Sequence, residues 1–251
     1  MTIPINAIKT LVNQFAGKAS IIISENGVNV LAIKENEVIR SASLIKLAVL
    51  NTLIDSHTNL DTIIEIDDQA LVAGSGVISV LRPQKLQVRK LMSMMISVSD
   101  NSATNILINY IGGIGVVNQW LKSAGFKSTQ LNRMMMDTNA LQAGRDNFTT
   151  AIESLALFKR ALARSSEINS WFINQQFRYK LPGNFDELGL KITVANKTGE
   201  GQSLDHDVAQ FIYGDQTIDI ALLTSDFANR SDTISLFNQV GQLIASTILN
   251  K

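Results

Sequence analysis

Two hydrophobic periods alternate along this chain. Near the start, Ile5, Ile8, Val12 and Phe15 recur at spacings of three and four, which predicts an amphipathic helix over residues 1–15. The β-branched runs 19–24 and 28–33 follow, separated by Glu25-Asn26-Gly27. Asn-Gly between such runs signals a hairpin, because both residues tolerate positive φ. The pattern then turns helical over residues 43–54. Val88, Leu91, Met92, Met95 and Val98 line one face of a further helix, and helical spacing continues at 103–110, 116–123 and 149–163. Strand character returns at 192–197, 208–213 and 218–224, with Gly199, Gly201 and Gly214-Asp215 in the connecting turns. A final helix over 231–249 carries Phe237, Val240, Ile244 and Ile248 on one face.

This order predicts an α/β protein of α+β type: one antiparallel sheet, built from early and late strands, flanked by helices and interrupted by an all-helical lobe. Residues 1–251 are read as one domain, with a sheet subdomain at 1–42 plus 187–251 and a helical subdomain at 43–186. A cleft between two such lobes is a natural ligand site.

Composition narrows the class. Lys plus Arg and Asp plus Glu balance at 22 each, so no basic face advertises nucleic acid. The chain has no cysteine, which excludes disulfides and thiolate metal sites, and its two histidines, His57 and His206, are too few and too far apart for a His-based zinc site or a Ser-His-Asp triad. They are read as surface or supporting residues. No apolar run is long enough to span a bilayer, and no basic segment leads into an apolar core as in a signal peptide. The chain as written is therefore expected in the cytoplasm. Removal of an export signal would leave the same sequence on a secreted protein.

Three short motifs carry candidate chemistry. In Ser43-Leu44-Ile45-Lys46, residues three apart share a helix face, so the Lys46 amine is expected to reach the Ser43 hydroxyl. A desolvated lysine can take the proton that makes serine a nucleophile, and the helix start leaves the Ser43 N–H open for an oxyanion. Alone the motif is weak, since chance gives roughly one in a chain of this length. Ser99-Asp100-Asn101 falls in a predicted inter-helix loop. Ser99 could relay a proton there and Asn101 could grip a substrate amide, while all three residue types also cap helices. Lys197-Thr198-Gly199 closes a predicted strand, where a cation and a hydroxyl can bind a carboxylate and glycine admits a ligand close to the backbone.

Together and in this order, the motifs resemble those of the class A β-lactamases and their penicillin-recognising serine hydrolase relatives. Gly74-Ser75-Gly76-Val77, the run 95–105 and His206-Asp207-Val208-Ala209 extend the resemblance over nearly the whole length. It implies a β-lactamase/transpeptidase-like fold and a serine hydrolase acylated at Ser43, with Lys46 as proton acceptor and Ser99 as proton shuttle. Asn101 would orient the substrate amide and Lys197 and Thr198 would hold its carboxylate. The backbone N–H groups of Ser43 and Glu200 would form an oxyanion hole beside Gly199. The implied substrate is a small β-lactam or a peptidoglycan-like peptide, with no cofactor or metal, no nucleic acid and a monomeric protein.

One departure stands out. The family's deacylating glutamate follows an arginine in an Ω-shaped loop, and here Arg133-Met134-Met135-Met136-Asp137-Thr138-Asn139 places Met135 at that position. A thioether cannot act as the base. The arginine's usual downstream aspartate aligns with Asn147, which leaves the loop without that charge pair, and Asp137 is the nearest carboxylate that could substitute. The expectation is acylation followed by slow deacylation. Open alternatives are a D-alanyl-D-alanine carboxypeptidase, a small-ester hydrolase and a non-catalytic β-lactam or peptidoglycan sensor. The Met134–Met136 run is expected to pack the loop, Trp120 and Trp171 to be core or cleft-wall aromatics, and Asp67-Asp68 to be a solvated turn.

Overall fold

The computed structural model describes residues 3–249. Its centre is a five-stranded antiparallel sheet in the order β2-β1-β9-β8-β7: β1 is Lys18–Glu25, β2 Val28–Ile33, β7 Thr193–Gly201, β8 Leu204–Tyr213 and β9 Gln216–Ser225. Short strands elsewhere form two small ribbons: β3 (Ile39–Arg40) with β6 (Phe148–Thr149), and β4 (Ile63–Glu65) with β5 (Lys85–Gln87). The β1–β2 hairpin turns at Asn26 and Gly27, with φ of 49° and 83°, as the Asn-Gly signal requires.

Both faces of the large sheet are covered, which explains why its strands read as nearly unbroken apolar runs. Side chains alternate across a strand. Ile21 and Ile23 of β1, Phe211 of β8 and Ile218, Ile220 and Leu222 of β9 pack into one core. That core is closed by the N-terminal helix α1 (Ile5–Gln14) and the C-terminal helix, Arg230–Leu249. Ile22, Val208, Ala221 and Leu223 point the other way, into a second core shared with the helical lobe.

That lobe holds α2 (Lys46–Asp55), the one-turn helix α3 (Ile78–Leu81), α4 (Val88–Ser97), α5 (Asn101–Tyr110), α6 (Ile114–Ser123), α7 (Thr138–Gln142), α8 (Ala151–Leu162) and α9 (Ser166–Ile173); the C-terminal helix is α10. At its middle, α2 packs against α4, α5, α6 and α8 and is buried from Lys46 to Leu53 on every side. Among the described residues no helix is long and apolar enough to cross a membrane.

The mixed fold with its antiparallel sheet matches the sequence expectation; several boundaries differ. Residues 1–2, the start of the expected first helix, lie outside the described residues. Ser43 sits in a 3₁₀ turn, Ala42–Ile45, that leads into α2. β7 continues through Gly201, so Lys197-Thr198-Gly199 lies within the strand, paired with Val208, Asp207 and His206, and the turn falls at Gln202-Ser203. Ribbon pairing, and not periodicity, creates β3 to β6, which are only two or three residues long.

Candidate active site

Ser43 is half-buried at the edge of a cavity of about 470 Å³ between the helical lobe and strand β7. Ala42 takes a left-handed conformation, φ 45°, and turns the chain into the 3₁₀ helix. Ser43 lies in the first turn of that helix, so its N–H has no partner within it. Its hydroxyl makes no hydrogen bond to the described residues and faces the cavity.

Lys46, one turn on, is fully buried. Its amine does not bond to Ser43, as the spacing suggests; it donates to Ser99 O at 2.6 Å and Asn101 Oδ1 at 2.8 Å and lies 3.1 Å from Ser99 Oγ. Every contact is to a neutral oxygen. Burial, reinforced by the Lys197 charge and opposed by Asp100, holds this amine well below the ordinary lysine range. In the neutral form that this lowering favours, the amine directs two protons at Ser99 O and Asn101 Oδ1, which leaves its lone pair for a hydroxyl proton.

The loop between α4 and α5 is built around Asp100. Its carboxylate caps α5 at Ala103 N and accepts from Val77 N and Ile78 N, at 2.6 to 2.9 Å, so it ties residues 77–78 to the helix start. Ser99 is left with φ of 53°, its carbonyl turned onto Lys46 and its hydroxyl between two lysines, 3.1 Å from Lys46 Nζ and 3.0 Å from Lys197 Nζ. Accepting from an amine frees its own proton for a group in the cavity. Asn101 is the first residue of α5 and not a loop residue; it borders the cavity and bonds to Ala73 O.

Strand β7 is the sheet edge that faces this wall. Lys197 is buried, and its amine also donates to Thr198 O at 2.8 Å. Burial, with help from the Lys180 charge, brings it down to about 7, against the pull of Asp207 and Glu200. Thr198 and Glu200 line the cavity. Gly199 does not, and packing supplies a further reason for a glycine there: a Cβ would lie 3.2–3.3 Å from His206 Cδ2, Ser41 O and Ala42 Cβ. The glycine lets β7 close against the segment that carries Ser43.

The opposite rim comes from residues 131–147. Met135 lines the cavity, is 7% exposed, and packs into the lobe core. Asn105 clamps its backbone, accepting from Met135 N at 2.8 Å and donating to Met135 O at 3.0 Å. Two expectations fail here. Arg133 does have a carboxylate partner, Asp146 at 2.8 Å, while Asn147 accepts from the backbone of Asn132 and Arg133. Asp137 cannot replace the missing glutamate, because it caps α7 at Ala140 N and does not border the cavity. Met134 packs against the core, while Met136 is 45% exposed.

Sequence reasoning missed the far wall. Phe177 and Tyr179, from the segment between α9 and β7, border the cavity. Behind them Lys180 is fully buried and pairs with Asp205 at 2.8 Å, while Arg230 bridges Asp205 and Glu200. Only the pair of aromatics two apart in a loop hinted at this wall. His206 is buried between Asp205 O and Arg40 O, and burial lowers it to about 4, so it is a neutral strut; His57 is exposed. Trp171 is core and Trp120 stacks on Phe126, both away from the cavity, and Asp67 caps a short exposed turn. Among the described residues no group of three or more His, Cys, Asp or Glu is placed to hold a metal.

Solved structures share this architecture. A β-lactamase from Sphaerobacter thermophilus DSM 20745 superposes with a TM-score of 0.84 at 23% identity, covering 98% of this chain and 97% of that one. PBP-A, as a point mutant in an acyl-enzyme complex with penicillin G, gives 0.82 at 20% identity over 98% and 96%. In sequence, β-lactamase CARB-3 of Pseudomonas aeruginosa is 26% identical over 195 residues, 70% of this chain and 65% of that protein. β-Lactamase FAR-1 of Nocardia farcinica is 26% identical over 229 residues, 82% and 71%. The chain thus spans slightly less than two thirds of CARB-3. Residues 4–248 match the profile of the Beta-lactamase enzyme family, and the chain belongs to that family.

Proposed function

We propose that this protein is a serine hydrolase whose Ser43 is acylated by β-lactams and whose acyl-enzyme is released slowly. The observation that carries the reading is the Lys46 amine: buried, contacted only by neutral oxygens, and one turn from a hydroxyl that opens onto the cavity. The Ser43 proton passes to the Lys46 lone pair as Ser43 Oγ bonds to the lactam carbonyl carbon. The oxyanion is held by the N–H groups of Ser43 and Glu200. The C–N bond then breaks, and the nitrogen takes a proton from Ser99 Oγ, which recovers one from Lys46. Thr198, with Lys197 behind it, receives the substrate carboxylate, and Asn101 its amide.

Deacylation repeats the attack with water, and water needs a base on the rim where Met135 stands. Arg133 is committed to Asp146 and Asp137 to its helix, so no side chain there takes over. Support also comes from PBP-A, a protein of the same fold, a point mutant of which forms an acyl-enzyme with penicillin G. The test is intact-protein mass spectrometry after a pulse of benzylpenicillin. The expected result is a persistent adduct on Ser43, absent from Ser43→Ala. Rapid multiple-turnover hydrolysis of nitrocefin would contradict slow release, and no adduct would contradict the nucleophile.

A further inference from the structure

The oxyanion hole depends on the orientation of one peptide group, Gly199–Glu200, whose N–H donates to the acyl carbonyl oxygen. That group has little of its own to hold it. β7 is the edge strand of the large sheet, paired on one side only. Glycine has the widest backbone freedom of any residue, and packing against Ser41 and Ala42 leaves little room at position 199 for a Cβ that would stiffen the chain.

The other end of the same peptide is bonded from behind. Lys180, from the segment between α9 and β7, has no exposed side-chain surface and does not border the cavity. Its amine donates to Gly199 O at 2.9 Å and to His206 O at 3.2 Å, pairs with Asp205 Oδ1 at 2.8 Å, and lies 3.7 Å from Glu200 Oε1. Gly199 and His206 are partners in the β7–β8 register. One amine reaches both of their carbonyl oxygens only where each carbonyl turns toward the other strand, as in a hydrogen-bonded antiparallel pair. The Gly199 carbonyl therefore points into the sheet. Across a planar trans peptide the Glu200 N–H points the opposite way, off the sheet edge and toward the cavity.

The three protons of the ammonium are thus spent on two backbone carbonyls and one carboxylate. A buried ion pair is by itself weak evidence of a stabilising role, and pairing with Asp205 requires no bond to Gly199. That bond has two consequences at the far end of the peptide. It pins the plane of a pliable residue. It also draws electron density toward the carbonyl oxygen, which strengthens the C–N double-bond character and leaves the Glu200 N–H more positive. Asp205 and Glu200 balance the charges of Lys180 and Arg230, so the ammonium acts through the peptide and not at long range.

We propose that Lys180 is a positioning residue of the oxyanion hole: through its bond to Gly199 O it aims and polarises the Glu200 N–H. This rests on acylation at Ser43 as argued above.

The test is isotope-edited infrared spectroscopy of the acyl-enzyme, formed with benzylpenicillin carrying carbon-13 at the lactam carbonyl. A hydrogen bond to the ester carbonyl lowers its stretching frequency, so the band reads the oxyanion hole directly. In Lys180→Met the band is expected to move to higher wavenumber. Second-order acylation should slow about tenfold, less than the roughly hundredfold or more that outright removal of a donor costs. Asp205→Asn breaks the same ion pair but keeps the bond from Lys180 Nζ to Gly199 O; its Tm should fall while its band stays. The double variant Lys180→Met/Asp205→Asn removes both charges of the pair and should show the shifted band even where Lys180→Met alone fails to fold. A band unmoved in a folded Lys180 variant, or moved equally by Asp205→Asn, overturns the proposal. No adduct in the unmodified protein overturns the acylation reading instead.

Discussion

Replacing Met135 by glutamate should convert a slow acyl-enzyme into a turning-over one. The Asn105 clamp fixes the backbone at this position through two main-chain hydrogen bonds, so the substitution changes the side chain and little else. Glutamate is unbranched like methionine and reaches into the same cavity. Partial burial would raise its pKa, which suits a general base. A positioned base contributes about 10²- to 10⁴-fold, so the acyl-enzyme half-life should shorten at least about 100-fold, or roughly 2.7 kcal/mol of barrier. The cost falls on stability. Met135 is 7% exposed and belongs to the lobe core, and burying a methionine contributes about 1.5–3 kcal/mol. A loss of about 2 kcal/mol lowers Tm by roughly 4–8 °C in a protein of this size.

The assay is a benzylpenicillin pulse followed by intact mass over time, with nitrocefin turnover beside it. Met135→Gln serves as control: it has the same shape and hydrogen-bonding polarity but no basicity, and it should leave the half-life unchanged. If Met135→Glu folds, acylates and then holds its adduct as long as the parent, a missing base does not set the lifetime.

Three further outcomes follow from the site. Lys197 is lowered to about 7, so the unfolded chain carries its extra proton between about pH 7 and 10.5 and stability should rise with pH across that window. Buried Asp207, raised to about 7, acts oppositely: the folded protein holds the extra proton between about pH 4 and 7, and its contribution is lost as pH rises through 7. Stability from denaturant melts should therefore climb above neutrality, and Lys197→Met should flatten that limb; an unchanged limb would remove Lys197 as its source. Gly199→Ala should push the Ser43 turn from β7 by a few tenths of an ångström and slow acylation about tenfold, read by adduct formation with nitrocefin. Lys180→Met removes the fully buried partner of Asp205, which keeps Arg230, and should cost about 1.5–3 kcal/mol, or roughly 3–12 °C in Tm by calorimetry.

What could be read from the sequence was whatever is set locally. The strands of the large sheet and the long helices follow their periods, because burial of one stripe or of two faces is written into each segment. Two of the motifs fall where the chain turns, at the 3₁₀ start of α2 and the start of α5, and the third lies within the sheet-edge strand. What escaped depends on segments far apart. Asp146 displaces Asn147 as the partner of Arg133 because the guanidinium, not the alignment, chooses the nearer carboxylate. The wall of Phe177 and Tyr179, with Arg230 behind it reaching across to Glu200, draws on segments well separated along the chain, and no periodicity in any one of them announces it.

Lys46 shows why the motif alone does not make the catalyst. A lysine three residues after a serine on an exposed helix stays protonated and solvated, and cannot accept a proton at neutral pH. Here α2 runs through the middle of the lobe, packed against α4, α5, α6 and α8, and that placement removes the amine from water. A buried ammonium is costly unless an anion pairs with it, and the contacts it finds are a carbonyl, an amide oxygen and a hydroxyl. Those oxygens satisfy the amine's protons without supplying a counter-charge. The proposed proton acceptor is thus a product of topology: the same four residues can supply a base only where the fold buries the lysine and keeps carboxylates out of hydrogen-bonding contact with it.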